Sequence, residues 1–274
     1  MRFYIYMTNL QIEDARLETA VVAAKRAGQR ASSVKHTTNT DEKGNGTIVT
    51  EADREAESTI RDELKNSYEY PILGEEFGGD IENTDTYWVV DPIDGTRNFA
   101  NKQPLYGTAI ALVEDGEPTV GVFYMPELDN LFYAVDGKGA YRNQTKITVS
   151  EETDFSNAYY TISGIGRTKL HPHVSQLNRW IQQLGCALMS ESWIASGWAD
   201  VGVFGAFGPW DVAVGVILIR EADGVVKTIS SHSTDWEEIK DGRIVLGNEE
   251  LVDSVLTQLP NEVEKIVNNA TYEY

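Results

Sequence analysis

Asp91-Pro92-Ile93-Asp94-Gly95-Thr96 gathers two carboxylates, a turn glycine and a hydroxyl within six consecutive positions. Carboxylate, carbonyl and hydroxyl oxygens are hard donors. Sites built from them suit Mg²⁺, which is held through a few carboxylates together with water and substrate phosphate. The residue before a proline is held extended, and Gly95 permits a sharp turn. Asp91, the Ile93 carbonyl and Asp94 can therefore face one point. A surface turn rich in Asp and Gly is the plain structural alternative. The apolar run at 87–90 argues instead for a strand that delivers the hexapeptide.

Other residues extend this oxygen cluster. Glu75 and Glu76 lie in a loop just before that strand, flanked by Gly74 and Gly78. Adjacent acids are commonly solvated, yet one of these can bridge metals and hold a water nucleophile, and Glu75 is the preferred ligand. Asp211 follows Trp210 at the start of a helix. There an acid interacts favourably with the helix dipole and can also serve as a fourth ligand. Thr50 and Asp53 have capping-box spacing; the pair can equally position water or a weakly held further metal. Thr96 precedes Arg97-Asn98-Phe99-Ala100, which can start a short helix, and serves as its cap or as the hydroxyl that orients an attacking water. Backbone N–H groups at such a start favour phosphate. The four histidines (His36, His171, His173, His232) lack metal-ligand spacing, and Cys186 has no paired histidine. Neither a Walker-type loop nor a GxGxxG occurs.

The elements that must position these groups follow from periodicity. A helix is expected over 12–28, ending at Gly28, and a second from Thr50 through about residue 67. Strands are expected at 87–90, 106–113, 118–125, 130–135 and 146–150. In the second half strands are expected at 158–163, 201–204, 225–229 and 243–246. Helices are expected at 174–184, 187–196, 211–222 and 249–259. Two leading helices, a strand-rich stretch and then alternating types indicate layered sheets and helices. The chain divides near residue 150 into subdomains 1–150, carrying most metal ligands, and 151–274, carrying Asp211.

The chain has 274 residues, of which 41% are hydrophobic, enough for a substantial core. Its net charge of −20 opposes nucleic acid and anionic membranes as partners. The acidity fits a high-salt cytoplasm or an ordinary acidic protein. The 11 lysines are more than an extreme salt adaptation would keep. A single cysteine fits a reducing compartment, and no apolar stretch has the length of a membrane span. The expectation is a cytoplasmic protein, with Met1 or Met7 as the start.

Taken together, these residues resemble the inositol monophosphatase family of Mg²⁺-dependent, lithium-sensitive phosphatases. The resemblance is carried by GEE at 74–76, WVVDPIDGTRNF at 88–99 and WDVAVG at 210–215. GKGAYRN (137–143), LGCALMSESWIASGWAD (184–200) and the tail VLGNEELVDSV (245–255) add to it. The resemblance implies a layered αβαβα fold, an α/β (α+β) sandwich, in a homodimer. It implies two or three Mg²⁺ held by Glu75, Asp91, the Ile93 carbonyl, Asp94 and Asp211, with Asp53 helping a third, weaker ion. Phosphate would rest on Gly95 and Thr96, and Gly185, Cys186 and Ala187 would line the substrate alcohol. In three places the chain departs from the pattern. Cys186 stands where Ser or Thr is usual, Phe204 stands where inositol-specific members carry a glutamate, and the stretch over 174–184 is shortened. The implied activity is hydrolysis of a small inositol or sugar phosphate by metal-activated water, with Glu75, Thr96, Asp53 and Thr50 handling that water. Inositol-1-phosphate is the default substrate. Fructose-1,6-bisphosphate, adenosine 3′,5′-bisphosphate and histidinol phosphate are the alternatives, and a silent metal- or phosphate-binding homologue is the non-enzymatic one.

Overall fold

A computed structural model describes residues 10–37, 40–42, 48–164, 171–172, 174–175 and 180–259. Helix α1 (Ala15–Val34) starts where the Asp14 carboxylate accepts the N–H groups of Arg16 and Leu17. It runs past Gly28, where the sequence reading ends it. Gly28 lies against the Tyr124 ring, which a Cβ would approach at 3.0 Å, so its smallness serves close packing and not termination. A two-stranded ribbon follows, β1 (Thr40–Glu42) with β2 (Ile48–Thr50), absent from the sequence expectation. Helix α2 (Glu51–Lys65) opens on the expected capping box of Thr50 and Asp53.

Seven strands form the first sheet: β3 (Ile72–Gly74), β4 (Tyr87–Asp94), β5 (Gly107–Glu114), β6 (Glu117–Met125), β7 (Asn130–Val135), β8 (Gly139–Arg142) and β9 (Thr145–Ile147). They lie in sequence order. Only the β3–β4 pair is parallel, and the antiparallel remainder follows from short turns. Helix α3 (Thr96–Ala100) is the short turn after β4. The segment GKGAYRN supplies β8, and the strand expected over 146–150 is confined to β9.

The second sheet has the order β11-β10-β12-β14-β13. Its strands are β10 (Tyr160–Ser163), β11 (Ile181–Gln182), β12 (Val201–Ala206), β13 (Val225–Thr228) and β14 (Gly242–Gly247). The helices of this half are α4 (Ala187–Ala195), α5 (Pro209–Glu221), α6 (Trp236–Ile239) and α7 (Glu249–Gln258). The helix expected over 174–184 is corrected at its end. Ile181 and Gln182 pair in parallel with β10 as the sheet's edge, while 176–179 lie outside the described residues. Helix α5 begins two residues before Asp211, with Pro209 at its first position, where a missing N–H costs nothing.

Period-two alternation sorts the strands into layers. Trp88 and Val90 face α1 and α2, together with Ile110, Leu112 and Val122. Tyr87 and Val89 face the opposite way, into a cluster with α4 and α5 that also takes Phe204 and Leu246 of the second sheet. Val201, Val203 and Val245 turn to the far side, against Leu251 and Val255 of α7. The result is the expected αβαβα sandwich. β4 is buried along its whole length, which makes its end a rigid platform. No helix among the described residues is long and apolar enough to cross a membrane.

Candidate metal centre

Asp91 and Asp94 are three apart, and on a regular strand they would point to opposite faces. The pairing of β4 with β5 prevents this. Asp91 lies opposite Ala109, whereas Asp94 lies opposite Gly107, so β4 carries one extra residue at Pro92-Ile93. This bulge turns both carboxylates the same way. Pro92, which has no N–H to lose, still offers its carbonyl to the Thr108 hydroxyl at 2.9 Å. Gly95 then adopts φ +87°, and a Cβ there would lie 2.9 Å from the Leu105 carbonyl oxygen. Gly95, and not Thr96, is the N-cap of α3.

Asp211 joins from the first turn of α5, where one of its oxygens accepts the Gly208 N–H at 3.1 Å. Potential ligand oxygens of Asp91, Asp94 and Asp211 all lie within 4.8 Å of one another. Glu75 is outside this closest set. Its N–H bonds the Val90 carbonyl at 3.2 Å, next to Asp91 in the chain, and its charge acts on Asp91. The Ile93 carbonyl accepts the Thr96 hydroxyl at 3.0 Å, and that hydroxyl lies 3.4 Å from Asp53 Oδ1. The other Asp53 oxygen accepts the N–H of Thr50 at 2.8 Å and the Thr50 hydroxyl. Thr50 and Asp53 are both fully buried, so the capping box and the link to Thr96 are one connected network.

The electrostatics fit a divalent cation. Burial pushes Asp91 well above the usual carboxylate range, and the charges of Glu75, Asp94, Asp211 and Asp53 push in the same direction. Asp91 Oδ1 is buried with no hydrogen-bond partner. An orphaned oxygen among repelling carboxylates is costly without a cation. Burial also raises Asp94, opposed by hydrogen bonds from Cys186, Leu188, Ala187 and Gly95.

Those bonds show where the expected alcohol-lining residues lie. The N–H groups of Ala187 and Leu188 reach Asp94 at 3.1 and 2.7 Å, so the first turn of α4 grips this carboxylate. The Cys186 thiol donates to Asp94 Oδ2 at 2.9 Å and is buried, and that burial pushes its pKa well up. Gly185, at φ +71°, is the exposed member of the trio, pressed against the Asn98 amide. Asn98 donates to the carbonyls of Leu105 and Leu184, tying α3 to this loop. Phe204 is fully buried and packs edge-on against Phe207.

Sequence reasoning missed Glu191. It lies on α4, is 1% exposed and has one oxygen without a partner. Burial raises its pKa well above the ordinary value, followed by the charges of Asp94 and Asp211. It fits because Gly215 of α5 has no side chain: a Cβ there would lie 1.8 Å from the carboxylate. An acid inside the small and apolar run ALMSESWIA was the available signal.

Because the thiol points at Asp94, Cys186→Ser is expected to preserve the ranking of substrates. The measurement is the ratio of KM values for an inositol phosphate and a sugar bisphosphate. A change in that ratio beyond about tenfold, or about 1.4 kcal/mol, would put the side chain against the substrate instead.

Five alternating layers bring carboxylates together at the end of a buried strand in a cluster that could hold a metal ion. The sequence profile of the Inositol monophosphatase family matches residues 12–264. The chain belongs to this family of metal-dependent phosphoric monoester hydrolases. One relative is a "Fructose-1,6-bisphosphatase/inositol-1-monophosphatase" of Thermotoga maritima, 35% identical over 69% of this chain and 74% of its own. Another is the "Nus factor SuhB" of Escherichia coli, 31% identical over 90% of this chain and 96% of its own. A solved Thermotoga maritima IMPase superposes with a TM-score of 0.83 at 31% identity, over 92% of this chain and all of that one.

Proposed function

We propose that this chain hydrolyses a small inositol or sugar phosphate, with Mg²⁺ held by Asp91, Asp94, Asp211, Glu75 and the Ile93 carbonyl. The observation that carries the reading is the convergence of three aspartates within 4.8 Å, with Asp91 Oδ1 buried and unpartnered. Bound there, Mg²⁺ supplies charge neutralisation for the phosphate and acidifies water. The chain's own groups do the rest. Asp53, fixed by Thr50, holds the Thr96 hydroxyl, and this hydroxyl orients the attacking water. Glu75 takes up the water's proton. The backbone of Gly95 and Thr96 receives the phosphate, and Gly185 borders the alcohol.

The relative's double name supports inositol-1-phosphate and fructose-1,6-bisphosphate together. The family resemblance further supports a homodimer. The lone buried cysteine supports a reducing cytoplasm.

The test is phosphate release from inositol-1-phosphate, fructose-1,6-bisphosphate, adenosine 3′,5′-bisphosphate and histidinol phosphate, with Mg²⁺ or a chelator, at low and high salt. Mg²⁺-dependent turnover of the first two is expected. Turnover confined to either of the last two would overturn the substrate class, and no turnover of any would favour a silent binding homologue.

A further inference from the structure

Glu57 is a fully buried acid that plays no part in the chemistry above. It lies one helical turn beyond Asp53 on α2, so both carboxylates leave the same face. Asp53 reaches Thr96, whereas Glu57 reaches the turn that carries Glu75. Glu57 Oε2 accepts the Glu76 N–H at 2.7 Å, and Oε1 accepts Arg61 Nε at 2.8 Å. The same guanidinium donates to the Gly78 carbonyl and lies over the Phe77 ring. Gly74 makes room for this carboxylate, since a Cβ there would lie 2.0 Å from Oε1. Across the turn, Gly74 and Gly78 exchange backbone hydrogen bonds at 3.1 and 3.0 Å.

Glu75 is thus bracketed. Its own N–H is tied to Val90, and the next N–H is tied to Glu57. An apolar side chain at 57 would leave Arg61 and the Glu76 N–H without this acceptor. A charge-assisted bond to a buried carboxylate is short and directional, which suits it to setting a backbone and not merely filling space.

We propose that Glu57 is a positioning residue that presents Glu75 to the Asp91–Asp94–Asp211 centre and so sets its metal affinity. This rests on the reading of Glu75 as a metal ligand. Holding the turn beforehand removes an ordering cost from cation binding, and partners of this kind typically govern metal affinity by about 10- to 100-fold.

The experiment titrates Mg²⁺ alone into the metal-free full-length protein, following the rise in melting temperature, for wild type, Glu57→Gln, Glu57→Ala and Glu75→Gln. Phosphate release is then measured at saturating Mg²⁺. Glu57→Gln keeps one acceptor oxygen but loses the charge. It is expected to raise the Mg²⁺ concentration for half-saturation about 10-fold or more. The KM for the ester and kcat at saturating metal should stay within about threefold of wild type. Glu57→Ala should shift the midpoint further; should it not fold, the Gln variant carries the test. A wild-type midpoint in Glu57→Gln, with Glu75→Gln impaired, would overturn the positioning role alone. Wild-type midpoints in both variants would overturn the role of Glu75, and the proposal with it.

Discussion

Asp94→Asn is expected to abolish phosphate release, by more than about a thousandfold or about 4 kcal/mol of barrier, while the protein stays folded. Asp94 does two things at once. It faces Asp91 and Asp211 in the converging set, and it receives the Cys186 thiol and the Ala187 and Leu188 N–H groups. Asparagine has the same shape but half the acceptor capacity and no charge. Its NH₂ must meet either the α4 N–H groups, which it repels, or the centre, which then loses a ligand, and in both cases the centre loses a negative charge. The metal-free fold should hardly notice, because burial already disfavours the ionised form of Asp94. The lost helix-capping bond costs about 1 kcal/mol, offset by the removal of a buried charge from a repelling group. The checks are phosphate release under saturating Mg²⁺ and thermal melting of the metal-free variant. Near-normal turnover would sink the proposed site. Loss of the folded transition would move Asp94 from chemistry to architecture.

The stabilisation conferred by a divalent cation should grow with pH. Asp91, Asp94 and Glu191 all have folded-state pKa values raised above the ordinary 3.8 or 4.5, first of all by burial. For such groups the folded state binds protons more tightly than the unfolded state does. Their contribution is fully present below the ordinary pKa and is lost as pH rises through the raised one. Metal-free protein should therefore lose stability from about pH 4 upward. A cation that binds the deprotonated carboxylates restores it. At a hundredfold excess over Kd the gain is about 2.7 kcal/mol, or about 5–10 °C in melting temperature for a chain of this size class. The increment should be larger at pH 8 than at pH 5, where protons compete with the metal. Equal increments at the two values would contradict the buried-carboxylate account. Glu191→Gln supplies an internal control. It removes one of these titrating groups without changing shape, so the metal-free protein should melt higher at pH 8 and lose less stability with rising pH.

Much of this centre is legible in the chain because its devices are local. Asp91, Pro92 and Gly95 announce an extended residue and a sharp turn within a few positions, while the bulge that turns both carboxylates the same way shows only in the pairing of β4 with β5. Thr50 and Asp53 announce their capping box by spacing alone. The order of the layers was implied by the family resemblance, and the structure then sends Trp88 and Val90 to one side of β4 and Tyr87 and Val89 to the other. Backbone preferences of this kind act over a handful of residues, so a short motif suffices to specify them.

Direction and burial were decided elsewhere. Cys186 reads as a group facing substrate alcohol, yet its thiol bonds Asp94, 92 positions away in the chain. Phe204 reads as a change in a substrate pocket, yet the packing of the second sheet places its ring in the core. Ile181 and Gln182 continue a plausible helical pattern but serve as an edge strand, because β10 offers unpaired backbone that a helix could not satisfy. Glu191 looks like an ordinary polar residue until Gly215 on another helix gives its carboxylate a buried seat. The sequence by itself determined the pair of carboxylates at Asp91 and Asp94 and the turn beside them, since both are written in adjacent residues. Only the tertiary structure decided which of the remaining polar groups hold those carboxylates in place. That depends on which distant surfaces bury them and which donors then lie within reach.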